Sequence, residues 1–428
     1  TWTFSVFGVD KDGNTLTAEA SVTVNALSAV APDAASWLLY DGDLTGAPTH
    51  DSGRRYTTWE SLMTALKASS GTDPVRVRFK GGATWTHSSA DQLADFDQSA
   101  VIFEQYGTGK GTVNCTAEVL RDDFGGTCNI IFQDLIFNGE YSAVTEQGTK
   151  REAFFTNVDS SPKTQSLNFL RCEVKGWGTC LYPRGERYWF MVEDCAVEDW
   201  GDFGSYPSVD DVAFIRGSRI EAVPNVAHGG GLNNGNNIGS VRQRWSIIDA
   251  CTMYHASAAN WGSSSWILQQ PTIRLGVGVD FTNGTGRYNY QRNVIEGSIA
   301  VQNSAWDGSE YGPTNLLIER CTILGSTRNA YIAVGPSGVT VRNNVLLGGS
   351  HVRTPGSTGS DTHISLNSLR SSSSPNNSDP VRVINNTIVD LQSGTQDIAE
   401  VSVSDAFATQ VIANNTSYVP NFDTPWQP

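Results

Sequence analysis

The sequence predicts an all-β solenoid, and three observations carry that prediction. The first is a repeat of alternating apolar residues interrupted each time by a short polar residue. It runs through IIFQDLIF (Asp134), NFLRCEVKG (Cys172), FMVEDCAVED (Cys195), FIRGSRIEA (Ser218) and SIIDACTMY (Cys251). It continues through YQRNVIEG (Asn293), LIERCTILG (Cys321), VTVRNNVLLG (Asn344), RVINNTIVD (Asn386) and QVIANNTSY (Asn415). The second is spacing: Cys172, Cys195 and Ser218 follow one another at 23 residues, as do Cys321 and Asn344. A period of about 20–50 residues marks stacked repeats. The third is composition, with only 17% charged residues and 42 glycines, which suits tight turns between buried strands.

The elements follow in order. Residues 1–26 hold two strictly alternating segments, TWTFSVFGVD and TLTAEASVTV, joined by KDGN. Alternation around Asp12-Gly13-Asn14 predicts a β-hairpin. DKDGN also looks like part of a calcium loop but lacks the later acidic ligand. Residues 27–58 read as a linker and lead-in rich in Ala, Pro, Gly and Asp. In WESLMTALKAS (59–69), Trp59, Leu62, Met63 and Leu66 recur at helical spacing, which predicts an amphipathic helix. Such a helix would cover the first repeat, whose bare edge would otherwise invite aggregation.

The repeat itself has a physical reading. Alternation sends every second side chain inward. A small polar residue fits an inward slot at a bend, where Asn can bond backbone groups and Cys acts as a small hydrophobe. The cysteines at 172, 195, 251 and 321 are therefore expected to be buried thiols, while Cys115 and Cys128 could close a loop. No Cys/His metal spacing is present.

These segments, together with VRVRFKGGATWT (75–86) and VIFEQYGTGKGTVN (101–114), resemble the right-handed parallel β-helix of the pectate-lyase-like superfamily. The resemblance covers roughly residues 75–420. The N-terminal hairpin resembles the end of a bacterial immunoglobulin-like module. The expected organisation is a hairpin fragment at 1–26, a lead-in at 27–58, and a parallel β-helix with its N-terminal cap helix at 59–428. The resemblance implies a secreted or cell-surface protein, bacterial or phage-borne, with a polysaccharide as partner. No signal peptide is visible and the chain begins at Thr1, so a mature or trimmed fragment is expected.

The formal net charge of −15 argues against nucleic acid as partner. No run of 18 apolar residues occurs, so membrane insertion is not expected. Function is sought in the long inserts between Ser218, Cys251 and Asn293, because chemically rich loops on a rigid scaffold usually carry it. The resemblance implies a sugar-binding groove along one sheet, including stretches near 228–238, 266–281 and 299–303.

Candidate catalytic residues are His228 in NVAHGGGLNNGNN, Asp280 in GVGVDFTNGTGRY, Asp307 in NSAWDGSEYG, and Asp211 beside Asp210, with Glu310 as a further carboxylate. Trp261, Trp266, Trp306, Tyr288 and Tyr311 could stack on sugar faces, and Arg287 could pair with an acidic substituent. The order Asp210-Asp211, then His228-Gly229, resembles polygalacturonases, but their Arg-Ile-Lys is missing. Hydrolysis would need two carboxyl groups. β-Elimination would need a base beside a neutralised uronic carboxylate. No lysine follows Lys175, so a lysine base in the central groove would have to be Lys175 itself. No cofactor is expected beyond a possible calcium ion. The expected function is cleavage of an extracellular polysaccharide, by lyase or hydrolase chemistry. The alternative is a non-catalytic glycan-binding β-helix, such as a tailspike, adhesin or surface fibre.

Overall fold

The computed structural model describes residues 2–6, 20–24, 36–89, 91–92, 96–122, 128–140, 152–156, 165–182, 184–185, 188–205, 208–209, 212–222, 230–234, 245–255, 272–275, 287–296, 298–301, 316–324, 331–334, 338–348, 364–366, 380–390, 401–403 and 409–418. Among these residues the architecture is all-β apart from one helix, and its large sheets are parallel. The strands recur in threes. Val75–Lys80, Thr84–His87 and Asp91–Gln92 are followed by Ala100–Tyr106, Gly111–Cys115 and Leu120–Asp122. Each strand pairs in parallel with its counterpart one repeat later, as Val75 does with Val101 and Trp85 with Val113. First strands build a 14-stranded sheet, and second and third strands build a 21-stranded one. In Glu173–Tyr182 and Ala196–Ser205 one long strand serves as both second and third strand, which joins the two columns into one sheet. This arrangement is compatible with a β-helix.

The hairpin expected at the N-terminus is present as Trp2–Val6 antiparallel to Ala20–Val24, with its register centred on position 13. Among the described residues it pairs with neither large sheet. The lead-in does more than connect. Trp37–Leu39 is buried and pairs in parallel with both Val75–Lys80 and Arg55–Tyr56, so the 14-stranded sheet begins before the helix. Lys80 Nζ fastens the lead-in further, at 2.8 Å from Asp41 Oδ1 and 2.9 Å from Asp43 Oδ2.

The helix, α1, spans Trp59–Lys67. Thr58 caps it by accepting the Ser61 N–H at 3.2 Å. Its four apolar residues at helical spacing, Trp59, Leu62, Met63 and Leu66, are all buried. Trp59 closes the end of the core, with ring centroids 5.9 Å from Phe79 and 6.2 Å from Phe103. Behind it Phe103, Phe132 and Phe169 occupy one register column and stack at 4.8 and 5.4 Å.

The polar residues form a continuous row at the bend between first and second strands. The residue just before each lies in the left-handed region: Arg171, Asp194, Ala250, Arg292, Arg320, Asn343, Asn385 and Asn414 have φ between 52° and 55°, and Gly217 has 60°. A left-handed non-glycine residue costs about 1–2 kcal/mol. The hydrogen bonds explain why it persists. The left-handed residue donates its N–H forward, as Asp194 does to Arg216 O at 3.0 Å. The residue after the bend donates backward, as Ala196 does to Cys172 O at 2.9 Å. Between them, the N–H of the polar residue meets the side chain of the next one. Cys172 donates to Cys195 Sγ at 3.3 Å, Cys195 to Ser218 Oγ at 3.2 Å and Cys251 to Asn293 Oδ1 at 2.9 Å. Cys321 donates to Asn344 at 2.9 Å, Asn344 to Asn386 at 3.0 Å and Asn386 to Asn415 at 3.0 Å. Cys251 and Cys321 accept the backbone N–H of Ser218 and Asn293 in the same way. Nine residues from Cys172 to Asn415 thus stand in one line.

Asp134 does not belong to that line. It is itself the left-handed residue, with φ 57°, and donates its N–H forward to Leu170 O. Leu135 fills the slot in that repeat and is buried. All seven cysteines are buried thiols, Cys115 and Cys128 included. Burial pushes Cys251 up to about 12, with the Ser218 N–H offsetting part of the effect. Its S–H stays protonated and is placed to donate to Asp249 O at 3.5 Å.

Candidate functional site

The stretches in which the sequence reading expects a groove coincide with third strands. Gly230–Asn234, Thr272–Leu275 and Ser298–Val301 fall in or overlap the three stretches singled out by sequence and are successive neighbours in the 21-stranded sheet. Their inner row is set by Ile332 and Ile364, both buried and in register with Ile299. Successive positions in a strand belong to opposite faces. The outer row is therefore Asn233, Arg274, Ala300, Ala333, Ser365 and Ser402. Toward the N-terminal end, Leu120, Phe154 and Leu181 are buried and fix the same alternation. There the outer positions are Gln92, Arg121, Phe155 and Tyr182, each in register with the next. The outer row thus presents two arginine and two aromatic positions over its early and central part, and only Ala and Ser from Ala300 onward.

Connectivity sorts the sequence-predicted residues around this row. His228 lies in the segment joining second strand Arg219–Ala222 to third strand Gly230–Asn234. Trp261 and Trp266 lie in the corresponding segment one repeat later, between Thr252–His255 and Thr272–Leu275. Asp211, with Asp210, lies between a third strand and first strand Val212–Arg216. Asp280 lies between Thr272–Leu275 and Arg287–Gln291. Trp306, Asp307, Glu310 and Tyr311 lie between Ser298–Val301 and Leu316–Glu319. The carboxylate candidates therefore belong to segments leaving the third strands, whereas His228 belongs to a segment entering one. These ten residues lie outside the described residues. On the leaving side, Arg184–Gly185 and Ser208–Val209 pair in parallel just before Asp210.

Arg287 and Tyr288 fall elsewhere. Both are on first strand Arg287–Gln291 in the 14-stranded sheet. Consecutive positions belong to opposite faces, so the two cannot line one surface. Tyr288 shares its register with Leu316, and through Ser246 and Ala213 with Phe190; Leu316 and Phe190 are both buried, so position 288 belongs to the core row. Lys175 is exposed on a second strand, in register with Asn138 and Glu198, and so stands outside the third-strand column.

Charges described on the first-strand edge are already paired. Arg216 lies 3.8 Å from both Glu193 and Asp249, Arg292 also meets Asp249, and Arg342 Nε donates to Glu319 at 2.6 Å. Arg171 bonds Asp134 at 2.7 Å. Burial alone would raise the Asp134 carboxyl. Hydrogen bonds from Arg171 and Gln133, with the charges of Arg171 and Lys110, outweigh it and hold the group below the usual carboxylate range. These pairs serve the bends. Among the described residues, no group of three or more His, Cys, Asp or Glu could hold a metal ion. The DKDGN loop lies outside the described residues. Among the described residues no helix is long and apolar enough to cross a membrane.

The sequence reading did not single out Arg121, Phe155, Tyr182, Asn233 or Arg274, which register places at outer positions of the third strands. Their strands are two to five residues long or are merged into a longer one, so too few positions alternate to reveal a face. No protein-family model matches the chain, and no curated protein is found to be similar to it.

Proposed function

We propose that this chain is a right-handed parallel β-helix of the pectate-lyase-like kind that cleaves an extracellular polysaccharide along its third-strand face. The observation that carries the reading is the outer row of that face. Arg121, Phe155, Tyr182, Asn233 and Arg274 occupy its early and central positions, in a chain of net charge −15. Parallel strands are about 4.8 Å apart, comparable to the advance of one pyranose unit in an extended glycan. A row of this kind therefore offers one position per sugar. Aromatic positions suit sugar faces, and guanidinium positions suit hydroxyl, carboxylate or sulfate groups.

The segments that join the central third strands to their neighbours would supply the reacting groups: Asp211, Asp280 and Asp307 are carried on segments that leave a third strand, and His228, with Trp261 and Trp266, on segments that enter one. Two carboxyl groups would serve hydrolysis as acid and as base or nucleophile. His228 would serve elimination as the base, with Arg274 balancing a uronic carboxylate. The product distinguishes them: new reducing ends alone for hydrolysis, or unsaturated uronides that absorb in the ultraviolet for elimination. The test is incubation with neutral, uronic and sulfated polymers. Release of either product supports cleavage. Binding of a polymer with no product from any of them moves the function to a glycan-binding surface fibre.

A further inference from the structure

The two ends of the core are finished differently. At the first, Trp59 of α1 lies against Phe79 and Phe103. At the other, the last described repeat consists of Gln410–Ala413 and Thr416–Tyr418, and among the described residues each pairs only with the preceding repeat. Register identifies its inward positions. Gln410 follows Leu316, Val339 and Val381, and Ile412 follows Ile318, Val341 and Val383. Ser417 follows Ile323, Leu346 and Ile388. All nine of these predecessors are buried, whereas Ile412 is 51% exposed, Gln410 is exposed and Ser417 is half-buried. Val411 and Tyr418 flank them on the outer faces and are exposed as well. The end of the core is therefore one bare apolar side chain between two polar ones.

We infer that residues 419–428, VPNFDTPWQP, cross this end of the core and seat Phe422 on Ile412. These ten residues lie outside the described residues. The exposed end, their sequence and their point of attachment carry the inference. They follow Tyr418 directly, at the rim of the end. Four extended residues span about 13 Å, enough to carry Phe422 across the roughly 10 Å between packed sheets. Pro420 and Pro425 lack the N–H that a ladder needs, so the segment suits a cover and not a further strand. Phe422 and Trp426 are interspersed with Asn421, Asp423, Thr424 and Gln427, which matches an end of mixed polarity. A second copy set end to end would instead take Gln410 and Ser417 of both chains out of water. A cover that does not pair also keeps other strands from adding to the edge. The inference is independent of the proposed cleavage.

The test uses the full chain carrying Ile412→Cys/Phe422→Cys and a short bis-maleimide, read by peptide mass mapping. The seven native cysteines are buried, so the added pair is what the reagent reaches in the folded chain. The comparison is Thr86→Cys/Phe422→Cys, because Thr86 is exposed on a second strand at the far end. A link within one chain between positions 412 and 422, and none between 86 and 422, is the expected result. Hydrogen exchange at Gln410–Ala413 then compares Phe422→Ser with Phe422→Leu. Exchange should speed at least tenfold in the first and stay near parental in the second, which separates loss of an apolar cover from loss of folding. A 412–422 link formed only between chains would overturn the inference in favour of a second copy. Absence of the link, equal linking at position 86, or parental exchange in Phe422→Ser would overturn it outright.

Discussion

In the early repeats the core column is filled by Phe103, Phe132 and Phe169, whereas in the late repeats the same column holds Ile318, Val341 and Val383. The bend row changes in parallel. Cys172, Cys195 and Ser218 give way to Asn344, Asn386 and Asn415. The two changes compensate. A Cys or Ser accepts one N–H from the previous repeat but returns its own proton to its own strand, as Ser218 does to Arg216 O at 3.0 Å. An Asn also donates across repeats: Asn344 Nδ2 bonds Ile318 O at 3.1 Å and Asn386 Oδ1 at 2.9 Å. Early repeats are held by ring stacking, and late repeats by amide bonds between neighbours. The ends differ too. Trp59 covers the first repeat, whereas Ile412, the last position of the core column, is 51% exposed.

The largest expected effect lies in the aromatic half. Phe132→Ala should cost about 3–5 kcal/mol, against about 0.5–1.5 kcal/mol for Ile318→Val. Phe132 stacks on Phe103 and Phe169 and also meets Phe137 edge-on at 5.3 Å, so the cavity cannot collapse locally. Chemical denaturation of both variants checks this. Equal losses would remove the distinction between the halves.

The bend row sharpens the same comparison at a smaller scale. Asn344→Leu leaves the buried Cys321 N–H without a partner and takes the amide bond from the Ile318 carbonyl, and should cost about 1–3 kcal/mol. Cys195→Ser should cost under about 1 kcal/mol, since Ser218 already performs that role one repeat later. Melting temperatures of the two variants read the difference, and a larger loss for Cys195→Ser would contradict the account.

The smallest effect is electrostatic. Asp134 has its folded-state acidity strengthened by Arg171, so its contribution is present above the ordinary carboxylate range of about 4. It is lost as pH falls through the lowered folded value. Asp134→Asn should therefore destabilise the chain near neutrality and flatten its acid limb. An acid limb identical to the parent's would show that the pair contributes nothing.

Much of the repeat was legible because each polar residue interrupts an apolar strand and so stands out. Asp134 misled for a physical reason. It precedes the slot by one residue, and in that repeat the slot holds Leu135, which has no polar mark. The strand Trp37–Leu39 was hidden because its pairing partners, Arg55–Tyr56 and Val75–Lys80, lie well downstream. The proposed working face was hardest to read. Phe155 and Tyr182 gain meaning only when parallel pairing lines them up, and Tyr288 looked available until register placed it with buried Leu316.

The third-strand face also changes along its length, with Arg274 at a central outer position and Ser365 at a late one. The most direct measurement compares product release from a responsive polysaccharide by the parent, Arg274→Ala and Ser365→Ala, with melting temperatures alongside. The account predicts a loss of about tenfold or more for Arg274→Ala, as expected for a charged hydrogen-bonding group, and parental activity for Ser365→Ala. Parental activity in a folded Arg274→Ala variant, or equal loss in both, would contradict it.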